Sequence, residues 1–452
     1  MITTVVRKSA IDIAKKPPMS FALWRDRLTL LLVALLPWQA RYIKETAAIF
    51  GVPWEQGMAA LFALEILLLL AIACHLLAVT VACEPRKAGA PLWLDLAAIL
   101  PIYAFISVFW AYDTTGALFS LIRLCEGYAL AYLLWVSKTP LAATLRAFVV
   151  GTTLTAALGL WQFFTQTSFA STWLGIAAHP APEAGVAVVE TAVGRFLRAY
   201  GTLPHPNVLG GYAAAGLVAC LALSMRASRH RHALFVAALV LGGGLAASFS
   251  RSAWLAAACA FAMALLFPRA ARTGEARRHA APVLLSALGG AACVALIALP
   301  MLTARLSFDG RLEVRSVSER AVSAVNGTEM LLRYFATGVG VGNYLPTAFL
   351  SLGVPDDVYA MQPPHFVPLL VGAELGFFGL AILLGFVFAW WHSALWLMRR
   401  AASPLAAVTA ALPIVILVVS GFDHYPYDLF AGTMLTGACF GLFLKAGEED
   451  AV

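Results

Sequence analysis

Short polar stretches interrupt an otherwise apolar chain, and several hold residue types that can do chemistry. The first runs from Arg195 through Arg198 and Tyr200 to Gly201-Thr202-Leu203-Pro204-His205-Pro206-Asn207. Two prolines bracket His205, and Asn207 offers a side-chain oxygen to cap the helix that follows. Arg198 beside the free N–H groups of a helix start would favour an anion. A well-built turn and a solvated arginine account for the same residues. The second stretch is Ser248-Phe249-Ser250-Arg251-Ser252, an arginine held between two apolar runs. Such a residue must snorkel, pair or bind an anion. A planar, permanently charged guanidinium suits a diphosphate through paired hydrogen bonds.

The third is His365, which Gln362-Pro363-Pro364 delivers to the start of a helix with little conformational freedom. An imidazole accepts a proton near neutral pH, as a general base must. Arg320, supported by Arg311, Arg315 and Arg333, would lower its pKa and keep it neutral. Late in the chain comes Asp423-His424-Tyr425-Pro426-Tyr427-Asp428. There Asp423 orients His424, or the island is a polar turn with interfacial tyrosines. Neither a Walker sequence nor HExxH occurs, and Asp356-Asp357 reads as a solvated acidic loop. The cysteines, at 74, 83, 125, 220, 259, 293 and 439, show no metal-ligand spacing and read as small buried hydrophobes. No metal and no cofactor is expected.

The elements that must position these residues follow from composition. Of 452 residues, 61% are hydrophobic and 12% charged, and the mean hydropathy is +0.82. A soluble domain carries about 25% charge, so ordinary soluble enzymes are excluded. The expectation is an all-α polytopic membrane protein with about twelve spans of roughly 20 residues each. They fall near 25–40, 58–82, 92–110, 117–136, 142–165, 207–225, 233–250, 253–268, 281–303, 366–391, 405–421 and 427–444.

The basic residues set the orientation. Arg7, Lys8, Lys15, Lys16, Arg25 and Arg27 precede or begin the first span. Arg86 and Lys87, Lys138, then Arg226, Arg229 and Arg231 fall in links on the same side, as do Arg269, Arg272, Arg277, Arg278, Arg399, Arg400 and Lys445. By the positive-inside rule that side is cytoplasmic, and so are both termini. The chain divides into a cytoplasmic tail at 1–24, a transmembrane bundle at 25–445 and a second cytoplasmic tail at 446–452. Two large outward segments result, 166–206 and 304–365. The second includes Arg305, Asp309, Glu313, Glu319 and Glu329 beside the arginines already named. Within it Leu312–Ala324 reads as an amphipathic helix with Val314, Val317, Ala321 and Val325 on its apolar side. Such a helix lies on the outer interface or caps the bundle. Gly338-Val339-Gly340-Val341-Gly342-Asn343-Tyr344 then reads as a flexible turn.

Taken together, these motifs resemble the O-antigen ligase/polymerase superfamily, most strongly over about 195–445. Gly201-Thr202-Leu203-Pro204-His205-Pro206-Asn207-Val208-Leu209-Gly210 resembles its stretch before a helix, and Ser250-Arg251-Ser252-Ala253-Trp254 its Ser-Arg helix start. Gly338 to Tyr344, His365 and Glu374-Leu375-Gly376-Phe377-Phe378-Gly379 resemble its glycine turn, helix-start histidine and Glu-Leu-Gly pattern. One departure is that the family's His-Asn is His365-Phe366 here. The resemblance implies a GT-C-like, metal-independent, inverting glycosyltransferase in the bacterial inner membrane with its active face outward. It would move a glycan from undecaprenyl diphosphate to an acceptor hydroxyl, with lipid A-core the first expectation for acceptor. Arg251 and Arg320 would grip the diphosphate, and His365 would activate the acceptor or stabilise the transition state. Arg198, His205, Asn207, Arg311, Arg315, Arg333, Asn343, Asp423 and His424 are the expected substrate-binding residues. A polysaccharide polymerase, a protein O-glycosyltransferase and a lipid-linked sugar transporter remain alternatives. No nucleic-acid partner is expected, since the basic clusters serve topology.

Overall fold

The computed structural model describes residues 20–45, 48–49, 52–53, 57–84, 89–226, 230–307, 310–353 and 362–450. Arg7, Lys8, Lys15, Lys16, Arg86, Lys87, Arg229, Asp309, Asp356 and Asp357 lie outside the described residues.

The bundle begins with α1 (Phe21–Leu35), α2 (Ala63–Thr80), α3 (Leu92–Ser107), α4 (Thr114–Val136) and α5 (Leu141–Thr165). It continues through α6 (Pro206–Ser224), α7 (Arg231–Ala247), α8 (Arg251–Leu266) and α9 (Gly274–Ile297). Then come α10 (Leu299–Ser307), α11 (Arg311–Arg333), α12 (Tyr344–Leu352) and the long α13 (Val367–Arg400). The chain closes with α14 (Pro404–Thr409), α15 (Leu412–Ser420), α16 (Tyr425–Asp428) and α17 (Phe430–Glu449). Among the described residues, eight helices are long and apolar enough to cross a membrane, with α7, α8 and Pro404–Ser420 as shorter apolar helices. Together with α1 they give every expected span a helical counterpart. The all-α polytopic expectation holds. The last short span is split, because Ala410 and Ala411 form a turn before Pro413. All the cysteines are free.

Helix α6 is the axis of the bundle. Every residue in it is buried, and it packs against α5, α7, α8, α14 and α15. Its Gly- and Ala-rich sequence is what lets neighbours approach so closely. At Gly210 a Cβ would sit 2.7 Å from that of Ala253.

Among the described residues, strands occur only in small antiparallel hairpins. β1 (Arg41–Glu45) pairs with β4 (Ala59–Phe62), and β2 (Ala48–Ile49) pairs with β3 (Val52–Pro53) between them. In the segment before α6, β5 (Val188–Thr191) pairs with β6 (Gly194–Leu197), with Val188 opposite Leu197. That hairpin ends one residue before Arg198 and hands it to the bundle.

Two parts of the outward region differ from expectation. The amphipathic helix extends to Arg333, and Val314, Val317 and Val325 are exposed. Its buried side is instead Glu313, Ser323, Gly327 and Met330. Gly327 has room for no side chain: a Cβ there would lie 2.5 Å from Pro364. The glycine turn is also not a flexible segment. It docks into a break in α13 at Gly376, which has φ +64°. A break inside an apolar helix strands carbonyl groups that lipid cannot satisfy. Here Val339 N–H donates to Ala373 O at 3.1 Å and Gly340 N–H to Glu374 O at 2.8 Å. Phe377 N–H returns a bond to Phe335 O at 2.7 Å. Gly338, at φ +69°, abuts the backbone of Glu374 and Gly376 too closely for a Cβ.

Candidate functional site

The chemistry-bearing residues gather at one end of the bundle, where α6, α8, α13 and α17 begin and α7 and α15 finish. The Ser248–Ser252 turn is its first wall. Phe249 adopts φ +47°, a conformation that costs energy in a bulky residue and persists only when its surroundings fix it. Ser250 then caps α8 by accepting from Ala253 N–H. The turned carbonyls hold arginines: Arg198 Nε donates to Ser248 O at 2.8 Å and Arg305 Nε to Phe249 O at 3.2 Å.

Arg251 leads out of the same turn. Its Nη1 donates to Arg305 O at 3.3 Å and its Nη2 lies 3.2 Å from Glu313 Oε2. Arg305 pairs closely with the other oxygen of Glu313. Arg305 and Glu313 are both buried, so one carboxylate from α11 lies between two guanidinium groups. Arg320 acts electrostatically on Arg198 and on Arg251. Burial, then Arg305, lowers the Arg198 pKa to about 9, which leaves it a cation at neutral pH.

A polar chain runs from Arg198 to the histidines. Arg198 Nη2 donates to Asn207 Oδ1 at 2.7 Å, and Asn207 Nδ2 donates to Asp423 Oδ2 at 2.7 Å. Asn207 is therefore a bridge and not the helix cap that its position suggests. The cap is His205, whose Nδ1 accepts from Asn207 N–H at 3.1 Å. Pro206 fills the first helical position, where a missing N–H costs nothing. Burial, with Arg198 next, lowers the His205 pKa to about 3.

Asp423 lies at the centre of an imidazole cluster. His424 N–H donates to Asp423 Oδ1 at 2.9 Å. His424 Nδ1 bonds Asp428 Oδ1 at 2.9 Å, and the rings of His365 and His424 meet edge to face at 5.1 Å. Ligand atoms of His365, Asp423 and His424 all lie within 4.8 Å of one another. Burial alone would raise the pKa of Asp423, but His424, His365, His205 and the Asn207 amide hold it below the ordinary carboxylate value. Burial first, then His424 and Arg320, lowers the His365 pKa to about 4, with Asp423 and Asp428 opposing. His365 is thus a neutral imidazole at neutral pH, able to accept a proton. Its neighbour at the helix start, Phe366, is exposed, and His365 is flanked by the His424 ring and the Asp423 carboxylate.

Glu374 locks this end of α13. Buried below the break, it accepts from Gly342 N–H at 2.9 Å, Tyr344 N–H at 3.3 Å and Tyr427 O–H at 3.0 Å. Asn343 is wholly buried and bonds the backbone of Asp113 in both directions, so it fastens the turn to the start of α4. Arg311, Arg315 and Arg333 do not join the cluster. They pair with Glu190 at 2.8 Å, Glu319 at 2.6 Å and Glu329 at 3.1 Å on the surface of α11 and the β5–β6 hairpin. Beside the histidines, an apolar cleft of about 290 Å³ descends between α3, α4, α13 and α17. Phe366 and Tyr427 line its upper part and Leu383 and Phe440 its lower part.

Residues 235–384 match the O-antigen ligase family model. The match bears out the resemblance carried by Arg251, the glycine turn and His365, and it supports a ligase- or polymerase-type function acting on lipid-linked glycans. The matched segment holds Arg251, Arg305, Glu313, Arg320, His365 and Glu374. Arg198, Asn207, Asp423 and His424 lie outside it and reach the site through the fold. No curated protein matches the chain.

Proposed function

We propose that the protein is an O-antigen ligase-like glycosyltransferase that moves a glycan from undecaprenyl diphosphate to an acceptor hydroxyl at the outer face of the bacterial inner membrane, without a metal. One observation carries this reading. A group of arginines, Arg198, Arg251, Arg305 and Arg320, shares one neighbourhood with the buried Glu313, and Arg320 in turn acts on the neutral His365. An anionic carboxylate between guanidinium groups marks a place where a diphosphate would be held.

In the reaction the donor diphosphate takes the place of Glu313 between Arg251 and Arg305. The acceptor hydroxyl attacks the anomeric carbon from the face opposite the diphosphate. A new C–O bond forms, the bond from the sugar to the phosphate oxygen breaks, and the anomeric centre inverts. The leaving electron pair becomes charge on the diphosphate, which the fixed guanidinium donors stabilise. The acceptor proton passes to His365 as the bond forms, and the charge of Asp423 offsets the imidazolium. The polyprenyl tail lies in the apolar cleft beneath Phe366. Lipid A-core is the proposed acceptor. Reconstituted with lipid-linked glycan and purified lipid A-core, the wild type should yield glycosylated core. Product found only as longer lipid-linked chains would make the enzyme a polymerase. Movement of intact donor across the bilayer without transfer would make it a transporter.

A further inference from the structure

We propose that His365, Asp423 and His424 form a binding site for a borderline divalent cation of the zinc type, and that filling it stops the transfer reaction. Two imidazoles and a carboxylate are the donor set that suits zinc, whereas magnesium and calcium prefer oxygen ligands throughout. The ligand atoms already lie within 4.8 Å of one another. Bond lengths of about 2.0–2.2 Å place tetrahedral ligands roughly 3.3 Å apart, a contraction that side-chain rotation can supply.

The surroundings are those of a built metal site. His424 Nδ1 bonds the Asp428 carboxylate at 2.9 Å. That is the carboxylate–histidine pairing which fixes a ligand imidazole and leaves the metal to Nε2. Asp423 is oriented in the same way, by the Asn207 amide at 2.7 Å and the His424 backbone at 2.9 Å. The third ligand supplies an independent sign: His365 Nδ1 is a buried nitrogen with no hydrogen-bond partner. Asp423 and Asp428 offset two positive charges. Arg320, which acts on His365, opposes a cation and sets the affinity below that of a structural zinc site. Three protein ligands leave one position open, to water or to the acceptor hydroxyl.

The inhibitory consequence rests on the reading of His365 as proton acceptor, because a metal-bound nitrogen has no lone pair to offer. The site itself does not rest on it. The test uses tag-free, chelator-treated full-length protein in lipid nanodiscs. Cobalt(II) titration should give the visible bands of tetrahedral coordination at one equivalent, abolished by zinc. His424→Ala and Asp423→Asn should each remove those bands. Asp428→Asn, which leaves all three ligands in place, should weaken cobalt binding about 10–100-fold. Micromolar zinc should suppress glycan transfer and EDTA should restore it, while magnesium has no effect. Cobalt bands that persist in both His424→Ala and Asp423→Asn, or an absence of saturable binding to the wild type, overturn the site. Because binding is read without turnover, failure of the base role would show separately, as transfer by His365→Ala.

Discussion

The two ends of the bundle treat charge in opposite ways. At the end away from His365 and His424, Arg25 and Lys138 are set against Asp26 and Glu84. Arg25 bonds Asp26 at 2.9 Å and Glu84 at 2.8 Å, and Lys138 bonds Glu84 at 2.7 Å. Lys445 is satisfied by the carbonyls of Ser137 at 2.6 Å and Leu134 at 3.4 Å. Glu449 takes up the free N–H of Leu141, so helix ends are tied together by charges matched to partners. At the site end, Arg198, Arg251, Arg305 and Arg320 share the neighbourhood of Glu313. There several guanidinium groups gather near one carboxylate, whereas the other end sets its cations against Asp26 and Glu84, and buried charge is costly where water is excluded. Under the proposed function, the anionic donor is what would complete the electrostatics of this group.

The comparison breaks most sharply at His365. His365→Ala should lower transfer by about 10²–10⁴-fold, the range of a lost general base. Donor binding and the melting temperature should stay near wild type, measured with reconstituted enzyme and labelled lipid donor. Next comes Arg251. Arg251→Ala should lower transfer about 10²–10³-fold, the scale for removing one preorganised donor to developing negative charge. Arg251→Lys should recover little, since an ammonium cannot reproduce the paired guanidinium bonds. Wild-type kcat with a raised KM would make Arg251 a binding residue only.

Most of the bundle was legible because apolar runs about as long as a bilayer is thick have few alternatives to helix. Arg251 stood out as a charge between two such runs, and His365 through the prolines before it. What stayed hidden depended on geometry that does not follow the order of the chain. Arg305 on α10 and Glu313 on α11 pair with each other, and their pairing leaves no local motif. Arg311, Arg315 and Arg333 match Arg320 in type and lie near it in sequence, but helical periodicity separates them from the site. Glu313, Arg320 and Gly327 recur every seven residues and share the inward side of α11. That signal was present, masked by the valine stripe that faces outward. The break at Gly376 was invisible because hydrophobicity continues across it unchanged. Asn207 has the residue type of a cap, but His205, two residues earlier, does that work.

The bridge and the break give smaller effects. Asn207→Ala leaves Arg198 and Asp423 without their shared amide, at a cost of about 1–3 kcal/mol. Transfer should fall about tenfold, since 1.4 kcal/mol is a factor of ten. An unchanged rate with a lowered melting temperature would confine Asn207 to holding the fold. Gly376→Ala forces a side chain into a left-handed backbone position pressed against Ala336. A loss of about 1–3 kcal/mol is expected, read by thermal unfolding in nanodiscs, with activity falling only as far as folded protein is lost.

The smallest effect belongs to the opposite end and tests the other half of the comparison. Glu84→Gln removes the carboxylate shared by Arg25 and Lys138. Lys138 is largely exposed, so its share is worth no more than about 1 kcal/mol. Transfer should stay within about twofold of wild type, because the proposed donor site lies at the other end. The pH dependence gives a sharper reading. Burial would raise the Glu84 pKa, but Lys138 and Arg25 together bring it below the ordinary carboxylate value of 4.5. A carboxylate with a depressed folded-state pKa contributes its full stability above its unfolded value and loses it as pH falls through the folded one. The wild type should therefore lose part of its thermal stability between about pH 5 and the lowered value, and Glu84→Gln should lack that component. If Glu84→Gln instead abolished transfer while leaving the melting curve alone, the matched end would be part of the machinery, and the contrast in charge would no longer separate structure from function.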